Sequence, residues 1–587
     1  MAVKQVNEAL TDDDILSECR YQSSKASGSE YHADELIADR TNALAYYLGR
    51  PRGDEIEGGS SVISMDVADM IDSMLSQIMP TFNQDQIVQF EALSEEDEEQ
   101  ALTESNFCNH VFMEKNNGYI LLETAIKDAL LSKNATLKVM VDIQEDKEEE
   151  KYKGLSPEEM LMVLIPTKPN QVIDVKKMDE EKGDITFTRV TTKRKLKVYA
   201  VAPENFSITT SHRTPFLEDC TYCVERSYPT KSDLIEQGYD ARTVMDLPPE
   251  TTDTKVDSIE RNQIQDEQNY LNNSPSMQNV EMEEHYIRVD RDGDGIAELL
   301  KVCSVENKLL YWEDGSPAID EVDCIPYANG VAVLMGHRFY GLSMYDKLRQ
   351  VQDVKTHFLR QWADNALAGN HCKTDLVEDM VNMEDFVNGR PNALRRVESL
   401  DAVREVPIND IGPSCQLALD YQDKIRTDRT GSALDLQANQ MTMPSNVGDQ
   451  GVNTLVANLE RVTALMTRNL SETLIKSTFL LIHKFLRLHF PEEMSAKIGG
   501  NWSTTNPSQW MERDQLNVTI PPSPSEKIVQ QVALEKMIIH SSGDLAQGKG
   551  GITTDDGQIY QMRLDHARLS GIDHPEKYLT DPNSPVS

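Results

Sequence analysis

What this sequence lacks narrows its chemistry before any motif is read. Basic residues are scarce: 58 Lys and Arg stand against 98 Asp and Glu, a net charge of −40. A general, sequence-independent grip on nucleic acid depends on cations that neutralise phosphates and release counterions, so that class of binder is disfavoured. Aromatics make up only 6% of the chain, which suits a protein that exposes much surface or covers it only in an assembly. No apolar run approaches the roughly 20 residues a bilayer-spanning helix needs; residues 160–165 are among the longest. The opening Met1-Ala-Val-Lys-Gln-Val has no apolar core of a signal peptide, so the expected chain is soluble and made in the cytoplasm. Eight cysteines are scattered, and only Cys220 and Cys223 have a CxxC spacing. A structural zinc site needs a second such pair, so free, mostly buried thiols are expected. The twelve histidines are dispersed, and no GxSxG or HExxH pattern offers a nucleophile or metal for catalysis.

What is there reads as an α+β chain. Its 587 residues, 39% apolar and 27% charged, can bury a core and suggest roughly two to four domains. Residues 1–135 read as mainly helical. The stretch 33–48 has a helical apolar spacing and stops at Gly49 and Pro51. A second helix starts at Asp66 with Val67, Met70, Ile71, Met74, Leu75 and Ile78 on one face, and Pro80 is expected to end it. Residues 94–104 form an acidic helical stretch, and 119–131 another apolar helix.

From 136 to 340 the period becomes two. Leu137, Val139 and Val141 alternate, as do Ile185 and Phe187 after a turn at 182–184, followed by Leu196 and Val198. The charged run 145–151 and the polar segment 248–275 read as solvated surface. Helices return within 341–452. Ser343 and Asp346 make a capping pair, and Met344, Leu348, Val351, Val354, Phe358, Trp362 and Ala366 recur over six turns until Gly369. Residues 430–453 have no period and read as a loop. In 453–587 a helix over 453–490 is expected, about 55 Å long at 1.5 Å per residue, with Pro491 stopping it.

Two local patterns carry candidate chemistry. Gly543 to Gly550 nearly fits a phosphate-binding loop, but Gly550 stands where Ser or Thr would hold Mg²⁺. Residues 528–539 read as an amphipathic helix where a strand is required. A flexible helix end is the better reading. In the second, Asp290, Asp292, Asp294 and Glu298 occupy positions 1, 3, 5 and 9 of a calcium loop, with Gly295 at position 6. The acid expected at position 12 is missing, since Lys301 stands there. The alternatives are a structural Ca²⁺ clip and a plain Asp-Gly turn joining two strands. No cofactor is required on this reading, and no enzyme is expected.

Several blocks together resemble portal proteins of short-tailed, double-stranded DNA phages. They are Tyr47-Leu-Gly-Arg-Pro-Arg-Gly-Asp-Glu-Ile-Glu-Gly-Gly-Ser-Ser-Val62 with Asp66-Val-Ala-Asp69, then Val201-Ala-Pro-Glu-Asn-Phe206, Tyr228 to Asp240, and the hairpin at 290–298. Gly341-Leu-Ser-Met-Tyr-Asp-Lys-Leu348, Gln352, Arg360-Gln-Trp-Ala-Asp-Asn365 and Arg429-Thr-Gly431 follow in order, so the resemblance spans about residues 35 to 435. It implies a homo-oligomeric ring, twelve subunits at one capsid vertex of the virion, with wing, stem, clip and crown around a channel for genomic double-stranded DNA. Residues 343–368 would be a stem helix, 430–453 would project toward DNA, and the β-rich middle would supply wing and clip. The partners implied are the terminase large subunit, which hydrolyses ATP, the major capsid and scaffolding proteins, and later head–tail adaptor or tail proteins; no membrane is involved. An acidic wall would let a duplex slide, so channel-facing Lys and Arg are not expected to form a continuous stripe. The rival readings are another non-enzymatic virion structural or adaptor protein and, from a different class, a metal-dependent hydrolase or ATPase.

Overall fold

The computed structural model describes residues 9–579 apart from 27–30, 52, 83–85, 93, 95–96, 153–155, 157–161, 166–170, 180–183, 249–273, 307, 371–373, 378–379, 388–395, 407, 432–461, 492, 499–500, 514, 519–523, 547–555 and 570–577. The turn expected at 182–184, most of the polar segment 248–275 and the loop at 430–453 therefore lie largely outside the described residues. Residues 1–430 with 469–518 make one compact unit; 431–468 with 519–587 make a second.

In the first unit, five helices open the chain: α1 (Asp12–Ala26), α2 (Tyr31–Tyr47), α3 (Asp66–Phe82), α4 (Glu98–His110) and α5 (Gly118–Leu131). The spacing in α3 buries Val67, Met70, Ile71, Met74, Leu75 and Ile78, the stripe expected from sequence. The helix runs two residues past Pro80. A proline in the final turn removes one backbone donor, and the helix ends before the ring can disturb another turn. The acidic stretch at 94–104 is less solvated than its composition suggests. Asp97 and Glu104 are buried against Arg513, whose Nη2 donates to Asp97 at 2.9 Å and whose Nε donates to Glu104 at 2.5 Å.

Two antiparallel sheets follow. β1 (Ala135–Tyr152) and β3 (Asp184–Val201) pair from Thr136↔Val201 to Tyr152↔Ile185, with β2 (Gln171–Asp179) along the far half of β3. At about 3.4 Å per residue, these two strands form a ribbon about 60 Å long. The charged run 145–151 is thus paired strand. Lys193–Asp146, Lys197–Asp142 and Arg189–Glu150 bridge the strands. The second sheet contains β4 (Phe206–Ile208), β5 (Tyr222–Ser227), β6 (Met282–Val289), β7 (Glu298–Val305) and β8 (Ile319–Glu321), in the order β8-β7-β6-β5-β4. α1 covers this sheet, packing Ile15 and Cys19 on Tyr222, Val224, Ile287 and Val302.

Where the sheets meet, alternation places Lys138 opposite the apolar face of β1, yet it is buried. Its Nζ donates to Glu225 at 2.6 Å and Glu284 at 2.8 Å, while Tyr327 and Tyr286 donate their hydroxyls to the same two carboxylates. Burial alone would push the Lys138 ammonium down, but Glu284 and Glu225 hold it well above the usual lysine range. Burial likewise opposes ionisation of Glu284, but Lys138 and Lys301 bring it down to about 2.

β9 (Tyr327–Gly330) adds to the edge of β1 at Ala135–Lys138. A Cβ on Gly330 would meet Leu474 Cβ at 2.8 Å, so glycine permits the close approach of strand and helix there. After β9, the helix expected over 343–368 forms as α6 (Met344–Asn370), and a second long helix, α7 (Gly412–Thr430), packs beside it. Between them lies a small hairpin, β10 (Thr374–Leu376) with β11 (Val403–Glu405). The helix expected over 453–490 is seen from 462 to His489, ending before Pro491; 453–461 lie outside the described residues. It contains a π-turn at Ser471–Ile475 before α8 (Lys476–His489), where Thr473 and Thr478 hydroxyls donate to carbonyls four residues back.

The second unit holds α9 (Pro524–Ala546) and α10 (Asp556–Leu569), which pack together. Gly543 lies inside α9, so the near-match to a phosphate loop starts in a helix with no strand before it; 547–550 lie outside the described residues. Among the described residues, six of seven cysteines are buried and all seven are free thiols. No described helix is long and apolar enough to cross a membrane.

Candidate functional site

The blocks that looked unrelated along the sequence meet on α6. The helix starts with the expected capping pair: Ser343 N and Oγ donate to Asp346 at 2.8 and 2.9 Å, and Asp346 N donates back to Ser343 Oγ. Gly341 just before it admits no side chain, because a Cβ would sit 2.3 Å from Val331 Cγ1 and 2.4 Å from the Val333 carbonyl. Down the helix, polar residues recur every four positions and bind the segment that leads into α3 and the start of α3 itself. Gln352 Oε1 accepts from Val67 N at 3.0 Å, and Thr356 Oγ1 accepts from Ser64 N at 3.1 Å. Arg360 donates to the Val62 carbonyl at 3.0 Å and to Asp54 and Glu55, and Asp364 accepts from Ser60 N at 2.6 Å. The twelve steps from 352 to 364 rise about 18 Å, a length that the seven steps from 60 to 67 match at about 2.6 Å each, less than a fully extended chain spans. Asn365 continues the contact by donating to the Asn409 carbonyl just ahead of α7.

Asp66 ties three helices together. It is buried at the start of α3, and one of its oxygens accepts from Lys355 of α6 at 2.6 Å and Arg426 of α7 at 2.9 Å. Burial works against its charge, but hydrogen bonds from Lys355, Ser64 and Arg426 hold the carboxyl below the ordinary range. Lys355 also reaches Asp423 of α7 at 2.8 Å.

The four acids of the calcium-like pattern come together in the turn between β6 and β7. One oxygen from each of Asp290, Asp292, Asp294 and Glu298 lies within 4.8 Å of the others. The backbone shapes this turn: Gly293 N and Gly295 N donate to Asp290 at 2.7 and 3.0 Å, Ile296 N to Asp294, and Arg291 N to Glu298 at 2.8 Å. Gly293 and Gly295 take the left-handed φ of +80° and +92° that the turn requires. Lys301, at the position where a calcium loop places its bidentate acid, lies in β7 and pairs with Glu284 at 3.3 Å. The turn is therefore both an Asp-Gly hairpin and a cluster of hard oxygen donors of the kind Ca²⁺ takes.

Compared with known proteins, the chain matches the family model described as the phage SU10 portal protein over residues 15–586. The chain belongs to this family of phage portal proteins. Membership of this family makes it a structural component of the phage virion. No curated protein compared with it matches.

In this portal subunit large apolar side chains lie bare on the lower part of the α6–α7 pair, as Ile56, Met162 and Ile296 do elsewhere. Trp362 is 48% exposed and Leu367 52% on α6; Leu417 is 74% and Tyr421 62% on α7. Sequence reading found the α6 stripe but not α7, whose only apparent signal was Arg429-Thr-Gly431. It also missed the β10–β11 hairpin, because three-residue strands carry too little alternation to register. The four-residue series Gln352, Thr356, Arg360 and Asp364 was visible as spacing, but its partner is extended chain with no period of its own.

Proposed function

We propose that copies of this subunit, twelve on the resemblance, close into a ring at the portal vertex, with genomic double-stranded DNA passing through the centre during packaging and ejection. The observation that supports this reading is the bare apolar surface of Trp362, Leu367, Leu417 and Tyr421 on two long, well-anchored helices. A helix pair fixed by Asp66 and by the Gln352–Asp364 series along one flank of α6 does not need those side chains for its own fold, and burial against a neighbouring copy removes them from water. On this reading α6 is a channel-wall helix, and the β10–β11 hairpin at the far end of the pair faces the terminase large subunit and then the adaptor or tail proteins. Major capsid and scaffolding proteins meet the outer body. The net charge of −40 gives the duplex a generally repelling environment with no continuous basic stripe to hold it along its path. ATP is hydrolysed by the terminase, not by the ring. Averaged electron micrographs of the purified full-length chain test the proposal: closed rings are expected, and a chain that stays a single subunit at every concentration and salt refutes it.

The turn of Asp290, Asp292, Asp294 and Glu298 is proposed to hold a structural Ca²⁺ that clips β6 to β7. A ligand present at a hundred times its dissociation constant stabilises the folded state by about 2.7 kcal/mol. Titrating Ca²⁺ into metal-free chain is expected to raise Tm, and Asp292→Asn to abolish the rise. An unchanged Tm in the unsubstituted chain removes the site.

A further inference from the structure

One hollow of this strongly acidic subunit is lined by cations. It has a volume of about 590 Å³ and lies between the first turns of α6, which supply Tyr345, Lys347 and Arg349, and the end of α7, which supplies Arg429. Two carboxylates, Asp39 and Asp346, share the lining. Both are already engaged: Lys133 Nζ lies 2.6 Å from Asp39 and 3.3 Å from Asp346, and the other oxygen of Asp346 caps α6. Asp353, one turn further along α6, accepts the Tyr46 hydroxyl at 2.7 Å. Among the described residues, none of Lys347, Arg349 and Arg429 forms an ion pair.

Lys347 and Arg429 have no acid against them among the described residues, while Arg349 is bonded to Tyr46 and lies near enough to Asp353 to feel its charge. Arg429 Nη1 donates to the Lys347 carbonyl at 3.1 Å, and the Arg349 guanidinium lies 5.9 Å from the centre of the Tyr345 ring. Tyr345 is 1% exposed, and its buried hydroxyl has no hydrogen-bond partner among the described residues. Such an orphan costs stability. Lys347 adds to the strain, since burial pushes its ammonium down with no acid to offset it.

We infer that this hollow is an oxyanion site for a phosphate group, gripped by Lys347, Arg349 and Arg429. A carboxylate from a neighbouring copy is the rival occupant. Its two oxygens and single charge would leave most of these donors unused in so large a hollow. A phosphate offers more oxygens, and arginine forks match it bidentately. The head of a 27-residue helix adds the favourable end of its dipole. The phosphate can come from a duplex backbone or from free phosphate or polyphosphate in solution. The duplex source rests on the portal reading above; the anion site itself does not.

The test uses the full-length chain and inorganic phosphate as probe, with chloride at equal ionic strength as the control. Phosphate is expected to raise Tm in a concentration-dependent way, and Lys347→Gln with Arg429→Gln to abolish that rise. Arg349→Gln alone, which touches no backbone contact, is expected to weaken it and decides the matter if the double variant fails to fold. A short labelled duplex then separates the sources: if its backbone fills the site, each cation removed lowers the slope of log affinity against log salt by about 1. An unchanged slope with a lost phosphate response assigns the site to free phosphate. A chain that responds no more to phosphate than to chloride overturns the proposal, as do variants that keep the response. So does loss of ring formation in variants of a chain that never responded, which assigns the hollow to a neighbour's carboxylate. Failure of the unsubstituted chain to form rings, with the phosphate response intact, sinks the portal reading and leaves the site standing.

Discussion

The junction of the two sheets and the lower half of the α6–α7 pair handle side chains in opposite ways. At the junction, charged and phenolic groups are sealed from water and every one of Lys138, Glu225, Glu284, Tyr286 and Tyr327 has a partner within the chain. Along the helix pair, Trp362, Leu417 and Tyr421 stand in solvent. A buried charge has to be completed by the chain that buries it, because an unpaired one costs several kcal/mol. An apolar face can be left for another molecule, at a cost of only about 25 cal/mol for each Å² exposed. The first region is finished as a fold, and the second waits for an assembly.

Breaking the finished region should have the largest effect. Lys138→Met leaves Glu225 and Glu284 buried without a cation and is expected to cost about 3–5 kcal/mol, read as a lower urea midpoint. Replacing both glutamates by glutamine as well should recover part of the loss; an equal or greater loss would mean the lysine matters for shape and not for charge.

Acid attacks the same region in two steps. His285 is buried between the Tyr222 and Ser304 hydroxyls, with Glu283 3.6 Å away and Arg226 nearby, and burial pushes its imidazole down to about 4. The unfolded chain therefore takes up that proton first. The stability this group contributes is complete above pH 6.5 and is lost as pH falls towards 4, on the order of 3 kcal/mol. Glu284, held down to about 2 despite its burial, adds a second loss from about pH 4.5 downward. Tm measured against pH should fall through both windows, and His285→Gln should flatten the upper one.

The smallest effect on the single subunit should come from the helix pair. Leu417→Asp or Trp362→Ser is expected to change its stability by no more than about 0.5 kcal/mol while sharply reducing the fraction of rings in micrographs. A large loss of monomer stability from either change would show that these side chains serve the fold of one chain after all.

Much of this contrast was legible in the sequence, though unevenly. The α3 and α6 stripes and the Ser343–Asp346 cap could be read because helical period and capping chemistry are local. The Asp290 turn could be read because its glycines and acids are fixed in spacing. Lys138 could not be identified as buried. Alternation puts it on the polar face of β1, and only the second sheet, from residues more than eighty positions away, turns that face inward. The charged run 145–151 was rightly read as solvated surface, but its strand could not be seen, since the run lacks the apolar alternation by which strands are recognised. Asp97 and Glu104 were hidden in the same way, by an arginine some four hundred residues later.

The four-residue series on α6 has a mechanical consequence. Gln352, Thr356, Arg360 and Asp364 join one helix flank to residues 60–67 in parallel, so a pull along the helix axis loads these bonds together in shear. Sliding the helix would mean breaking all of them at once, whereas tilting its free lower end would open them one after another from Asp364 upward. A subunit built this way is stiff to thrust along the helix and compliant to bending across it.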